Sequence, residues 1–217
     1  MKIHQAYRIL SSAVAKGRER DVHTALKTLP RVLWLAFSHG WHENVVLSEF
    51  RFGTEYRADF LLLSAHSGAW HATFIELKPP NARLYLKDGT ESVPLRRALR
   101  QVKDWANWTQ KNDGSFRQDL RRALEETAKK DRDIEKNPSN YSGNRLLDPR
   151  TVVFDHYVIV IGRRQELTAR DQERRSTESI HTHGLEIATY DRLLDLARKD
   201  DVTLRNARMA SRGAYRS

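Results

Sequence analysis

Two acidic residues and one lysine near the middle of the chain have the types and spacing that suit metal chemistry. Residues 56–78, YRADFLLLSAHSGAWHATFIELK, have the pattern of two strands joined by a short turn. Because side chains alternate along a strand, Glu76 and Lys78 share a face, and Asp59 on the neighbouring strand can meet them. Two carboxylates and an ammonium group at the end of an apolar sheet suit a divalent cation that acts as a Lewis acid.

A purely structural interpretation of the same residues stays open. A Glu-Leu-Lys tripeptide on an edge strand would be a solvated ion pair that contributes little to stability. Two neighbouring features favour chemistry. Asp59 lies inside an apolar run, where alternation predicts that it shares a face with Arg57 and Leu61, and the Pro-Pro pair at 79–80 ends the second strand. Lys78 is therefore expected at a strand end, where active sites of α/β sheets usually lie.

The composition indicates a polyanionic partner. The 217 residues include 38 Lys and Arg against 28 Asp and Glu, which gives a formal net charge of +10. This balance favours nucleic acid or another acidic surface. There is no cysteine, which excludes disulfides and cysteine-based zinc sites. No secretory signal and no apolar run of roughly 20 residues is present, so we expect a cytoplasmic protein that does not bind a membrane.

Hydrophobic periodicity predicts an α/β chain with a helix, a three-stranded meander and further alternating elements. The run YVIVI at 157–161 is typical of a strand buried on both faces. The apolar segment at 33–40 is predicted to be packed inside the protein, but its sequence does not indicate a helix or a strand. In chain order, the predicted helices are 19–29, 93–109, 115–130, 168–179 and one that starts near Tyr190, and the predicted strands are 45–52, two within 56–78, 157–161 and 185–189.

Two helical residues are candidates for supporting roles. Glu19 lies beside the apolar stripe of its helix, so its carboxylate either enters an active site or is an ordinary first-turn acid that favours the helix dipole. Gln101 borders the stripe of the 93–109 helix. It can contact a metal-bound water or DNA, or it can be an exposed helix-forming residue.

The element order resembles the core of the PD-(D/E)XK nucleases, with Asp59 on the second strand and Glu76 and Lys78 on the third. More narrowly, several pieces resemble the nuclease domain of the Shedu anti-phage defence protein. One departure is that Ala58 precedes Asp59 where the family motif has proline, which binds nothing in the chemistry. The pieces are Glu19 with a Leu-Pro helix end, Ser48-Glu49-Phe50, Arg57-x-Asp59-Phe60, Ile75-Glu76-Leu77-Lys78-Pro79, Ala98-x-x-Gln101, Val160-Ile161-Gly162-Arg163 and Thr189-Tyr190-Asp191-x-Leu193-Leu194.

This resemblance implies a restriction-endonuclease-like αβββαβ core, with a mixed central sheet flanked by helices. The implied nuclease-like domain covers residues 18–198 and carries a polar insertion at about 112–150. A helical lead-in at 1–17 precedes it, and a basic tail at 199–217 follows it.

The resemblance also implies a metal-dependent DNA endonuclease or nickase of an anti-phage system. Asp59 and Glu76 would hold Mg²⁺ or Mn²⁺, with the carbonyl of Leu77 as a third ligand. Lys78 would position the attacking water or stabilise the transition state. Glu19 and Gln101 match the family's helix acid and its later glutamine and are included among the catalytic residues. DNA is the implied partner and the chain is expected to form a homo-oligomer. Either this oligomerisation or a regulatory partner protein would control when it cuts.

Four arginines are predicted to contact the DNA backbone, and two other functions stay open. The arginines follow the buried YVIVI strand, and the alternative for them is a solvated charged helix. The alternatives are a catalytically inactive DNA-binding or assembly module of the same fold and a repair or restriction nuclease without a defence role. The four residues are Arg163, Arg164, Arg174 and Arg175.

Overall fold

A mixed α/β architecture is present in a computed structural model, which describes residues 5–40, 42–66, 68–181 and 184–198. The basic tail predicted at 199–217 and the first four residues of the lead-in lie outside these ranges. The helices are α1 (Gln5–Ala15), α2 (Glu19–Lys27), α3 (Pro30–Phe37), α4 (Val93–Lys111), α5 (Asp113–Lys130), α6 (Ala169–His181) and α7 (Tyr190–Arg198). The strands are β1 (His42–Phe52), β2 (Tyr56–His66), β3 (Ala69–Leu77), β4 (Val153–Val160) and β5 (Leu185–Ala188).

The five strands form one sheet in the order β1-β2-β3-β4-β5. The first three pair as an antiparallel meander, whereas β4 is parallel to β3 and β5 is parallel to β4. The prediction of a mixed sheet flanked by helices is therefore confirmed. Its finer assignment as a restriction-endonuclease-like core stays a prediction.

Hydrophobic clusters cover the two faces of the sheet. On one face, α4 and α5 pack through residues at helical spacing, such as Leu95, Val102 and Phe116, against β1 to β5. On the other face, α1, α2, α3 and α7 pack on β2, β3 and β4. Each fully buried large side chain stabilises the fold by roughly 1.5–3 kcal/mol. In the described part of the chain, no helix has both the length and the apolar character needed to cross a bilayer.

Some predicted boundaries differ from the observed ones. Residues 30–37 form α3, which was not assigned from the sequence, because its apolar residues continue without a clear amphipathic period. Strand β4 begins at Val153 rather than at residue 157. Its first half includes exposed Phe154 and polar neighbours, which hide the strand pattern, but pairing with Trp70 through Thr73 of β3 holds it in the sheet.

The prediction that Arg57 shares a face of β2 with Leu61 is wrong. In the first residues of the strand, before Asp59, it is Ala58 that packs in the same hydrophobic cluster as Leu61, whereas Arg57 is exposed. The cause lies in β1, where Glu49 has a φ of 54° and stands between the residues that pair with Ala58 and Phe60. A left-handed residue interrupts the pleat, so both strands exchange their inward and outward faces there.

The irregular segment after α5 is fixed by one buried arginine, and its replacement should be costly. We expect Arg117→Met to lower the free energy of unfolding by roughly 2–4 kcal/mol, because backbone carbonyls would lose a charged donor inside the protein. Urea unfolding would measure this, with exposed Arg121→Met as the control. Equal effects of the two variants would contradict the anchoring role. The guanidinium donates to the carbonyls of Leu146 (2.7 Å), Asp148 (3.0 Å) and Thr151 (2.8 Å) and to the carboxylate of Asp113 (2.9 Å).

Candidate functional site

The candidate acids lie where β2 and β3 separate. Pairing between these strands extends to Phe60 and Ile75. Beyond it, the Oδ2 atom of Asp59 accepts a hydrogen bond of 2.8 Å from the backbone N–H of Leu77. The carboxylate of Asp59 thus takes the place of the backbone carbonyl that would accept this hydrogen bond in a regular sheet. Because Leu77 directly follows Glu76 on β3, the contact places the Asp59 carboxylate close to Glu76. The structure brings the two predicted acids to the same strand end.

Lys78 and Gln101 both contact Glu76. The Nζ atom of Lys78 lies 2.5 Å from Oε1 of Glu76, and Nε2 of Gln101 donates to Oε2 at 3.0 Å. Glu76 is only 4% exposed, so these contacts replace the water that an ionised carboxylate requires. Gln101 comes from α4 on one side of the sheet. The helix residue predicted to face the site therefore does so.

The acids of this site have raised pKa values. The pKa of Glu76 is raised to about 7, mainly by burial and also by the charge of Asp59, while Lys78 opposes the shift. Burial is also the main cause that raises the pKa of Asp59 and of Glu19. Burial of Lys78 acts to lower its pKa, but the charges of Glu76, Glu19 and Asp59 and the hydrogen bond to Glu76 together outweigh this, and the net shift of the pKa is upward. Lys78 is therefore a cation at neutral pH.

Helix α2 supplies Glu19 and a residue that sequence reasoning missed. Glu19 is partly buried, and its charge interacts with Lys78 and Asp59. His23 follows one helical turn later, with its ring 4.9 Å from that of Phe60. Its Nε2 atom is buried and has no hydrogen-bond partner among the described residues. The spacing of four residues from Glu19 was the available signal, since it places both side chains on one face.

The donor set fits a hard divalent cation that keeps several waters. Within the described ranges, no group of three or more His, Asp or Glu side chains is arranged to hold a metal ion. Mg²⁺, however, is commonly bound through one or two carboxylates, with water and substrate oxygens completing its shell. Asp59 and Glu76 supply two hard oxygen donors in a partly buried region with excess negative charge, and a cation would relieve the repulsion that raises their pKa values.

A comparison with known families places most of the chain in one family. A family profile described as Shedu protein SduA, C-terminal, matches residues 16–194. The chain belongs to this Shedu family. Membership links the Shedu chain to anti-phage defence, and the matched region contains every predicted catalytic and metal-binding residue. No curated protein matched the chain in a separate search.

The four predicted DNA-binding arginines of the Shedu chain lie apart from this cluster in the sequence and have other contacts. Arg163 forms hydrogen bonds to both carboxylate oxygens of Asp191, at 2.9–3.2 Å, and Arg164 pairs with Asp195 at 2.9 Å. These contacts tie the turn after β4 to α7. Arg174 of α6 donates to the carbonyl of Gly89 at 2.7 Å, and Arg175 follows it. Their contact with DNA stays a prediction.

Tyr190 forms a hydrogen bond to the backbone of Lys78, and a substitution at Tyr190 tests how much this bond stabilises the protein. The tyrosine is fully buried, and its hydroxyl donates to the carbonyl of Lys78 at 2.8 Å. We expect Tyr190→Phe to lower the free energy of unfolding by about 1–3 kcal/mol, because it leaves a buried carbonyl without a donor. Chemical denaturation would measure the change. Tyr141→Phe is the control, because Tyr141 is 86% exposed. Unchanged stability of both variants would contradict the role of this hydrogen bond.

Proposed function

We propose that this Shedu chain is a metal-dependent deoxyribonuclease that cuts or nicks DNA by phosphodiester hydrolysis in anti-phage defence. The observation that supports it most is the contact of one buried glutamate, Glu76, with both Lys78 and Gln101, beside the carboxylate of Asp59. In this proposal Asp59 and Glu76 hold Mg²⁺, for which Mn²⁺ can substitute, and the carbonyl of Leu77 completes the protein ligands.

The bound cation would lower the pKa of a water molecule and neutralise charge on the scissile phosphate. The side chains of the chain supply the remaining functions. Lys78 stays protonated and donates to a phosphate oxygen as negative charge develops on it. Because Nε2 of Gln101 is engaged with Glu76, its carbonyl oxygen is the group that can accept a hydrogen bond from water. Glu19 adds a carboxylate from α2 that orients water on the opposite face.

Plasmid cleavage tests the proposal. We expect the purified chain to convert supercoiled plasmid to nicked or linear forms with Mg²⁺, and chelation of the metal should stop the reaction. Asp59→Asn should abolish cleavage, whereas Asp104→Asn, an exposed acid on α4, should not. A wild-type chain that binds DNA but cleaves no form of it would instead identify an inactive DNA-binding module.

Regulation belongs to the same proposal. The resemblance to the family implies that either a homo-oligomer or a regulatory partner protein controls when the chain cuts. Light scattering of the purified chain, alone and with DNA, would detect self-association. A monomer under both conditions would contradict the homo-oligomer.

A further inference from the structure

A basic cleft opens beside the candidate site at the end of the β1–β2 hairpin. It has a volume of about 540 Å³. The hairpin supplies two arginines, a glutamate and a tyrosine, α4 supplies a glutamine, and α5 supplies an aspartate and an arginine. These side chains are Arg51, Glu55, Tyr56, Arg57, Gln101, Asp119 and Arg122, so three arginines face two acids.

Two walls of this cleft lead to the two acids. Gln101 lines the cleft and also donates to Glu76, so the α4 wall ends at that carboxylate. Arg57 lies two residues before Asp59 on β2, which is about 7 Å along a strand. A linear polyanion that lies in the cleft would therefore extend directly from the arginines to the carboxylates of Asp59 and Glu76.

The arginines of the cleft have guanidinium donors that remain accessible to a ligand. Arg57 and Arg122 have side chains that are 55% and 77% exposed. Their nearest acids, Glu49 and Asp119, lie at 3.7 Å and 3.6 Å, which is longer than a hydrogen bond. Arg51 is also exposed. Planar guanidinium groups in this state suit phosphate oxygens, which they bind in a bidentate way.

Asp119 and Glu55 are the two acids that line the cleft, and the first of them has a structural contact. Oδ2 of Asp119 accepts a hydrogen bond of 2.8 Å from the backbone N–H of Gly53, in the turn between β1 and β2. Gly53 has a φ of 58°, and a Cβ atom at this position would lie 3.0 Å from the ring of Trp108, so this turn accepts no larger residue without strain. Asp119 therefore fixes the hairpin against α5, and this contact sets the separation of the arginines on the two elements.

From these contacts we propose that Arg51, Arg57 and Arg122 bind the phosphodiester backbone of DNA and guide it to Asp59 and Glu76. The inference rests on the proposed nuclease function and adds its substrate-binding surface. It differs from the surface predicted from the sequence, because the guanidinium groups of Arg163 and Arg164 are paired with acids of α7.

The salt dependence of DNA binding tests this surface without requiring cleavage. Fluorescence anisotropy with a short labelled duplex, in EDTA, would compare the wild type with the triple variant Arg51→Gln, Arg57→Gln, Arg122→Gln. Each lost phosphate contact lowers the slope of log K against log salt by about 0.9, so we expect a slope smaller by about three. A matched control carries the same change at exposed arginines outside the cleft: Arg8→Gln, Arg132→Gln, Arg145→Gln. Its slope should remain that of the wild type.

The outcomes separate this proposal from the proposed function. A cleft variant with the same slope as the control, or a wild type that does not bind the duplex, would overturn the DNA-binding surface. A reduced slope in a chain that never cleaves would support the surface and reject the nuclease. If the triple variant does not fold, the double variant Arg51→Gln, Arg122→Gln keeps the pair between Arg57 and Glu49, and its slope should fall by about two.

Discussion

Replacement of Lys78 by methionine should reduce DNA cleavage by at least about 10²-fold and leave DNA binding nearly unchanged. The reason is the position of its ammonium group, 2.5 Å from Oε1 of Glu76 with a side chain only 16% exposed. A cation held there stabilises negative charge that develops on the phosphate, and methionine keeps the apolar stem without the charge. Single-turnover cleavage with excess protein would measure the chemical step separately from DNA binding.

The matched control for this prediction is Lys103→Met on α4. Lys103 is exposed, so its loss removes the same charge without altering the site. Cleavage by Lys78→Met within a few-fold of the wild type would show that the ammonium group does not act in the reaction. Loss of DNA binding together with cleavage would assign Lys78 to substrate binding instead.

The second large effect concerns Glu76 and the stability of the metal-free protein. The pKa of this carboxyl rises from 4.5 to about 7, mainly through burial. Between pH 4.5 and about 7 the folded chain binds more protons at Glu76 than the unfolded chain does. The stabilising contribution of the protonated Glu76 is therefore fully present below pH 4.5 and is lost as the pH rises through about 7. The full shift corresponds to at most about 3 kcal/mol.

The variant Glu76→Gln isolates this contribution, because glutamine does not titrate. We expect the difference in unfolding free energy between wild type and variant to change by roughly 1–3 kcal/mol across the window, with the wild type losing stability at alkaline pH. Glu125→Gln, an exposed acid on α5, should show no such change. Added Mg²⁺ at alkaline pH should restore stability to the wild type and not to Glu76→Gln. Parallel pH profiles of wild type and Glu76→Gln would contradict the raised pKa.

Much of the candidate site could be predicted because its signals are local. Asp59, Glu76 and Lys78 belong to one hairpin, whose alternation and terminal prolines are visible in the sequence. The strand at Tyr157 was predictable for the same reason, since a continuous apolar run needs burial on both faces. Glu19 and Gln101 border apolar stripes, and packing of those stripes on opposite faces of the sheet directs both residues inward.

The unpredicted features depend on contacts between distant parts of the chain. No local pattern indicates that Glu49 adopts a positive φ, yet this residue exchanges the faces of β1 and β2 and leaves Arg57 in the cleft. Arg163 follows a strand and has the character of a DNA ligand, but Asp191 pairs with it from 28 residues away. The cleft likewise combines arginines from β1, β2 and α5, which become neighbours only in the folded chain.

The position of a bound Mn²⁺ ion tests the central claim most directly. Crystals of the wild type with Mn²⁺ should show one anomalous scattering peak in contact with the carboxylates of Asp59 and Glu76, and the peak should be absent from Asp59→Asn. Mn²⁺ suits this test because it accepts the same oxygen ligands as Mg²⁺. A peak elsewhere, or none at a concentration that supports DNA cleavage, would contradict the assignment of these two carboxylates as the metal site.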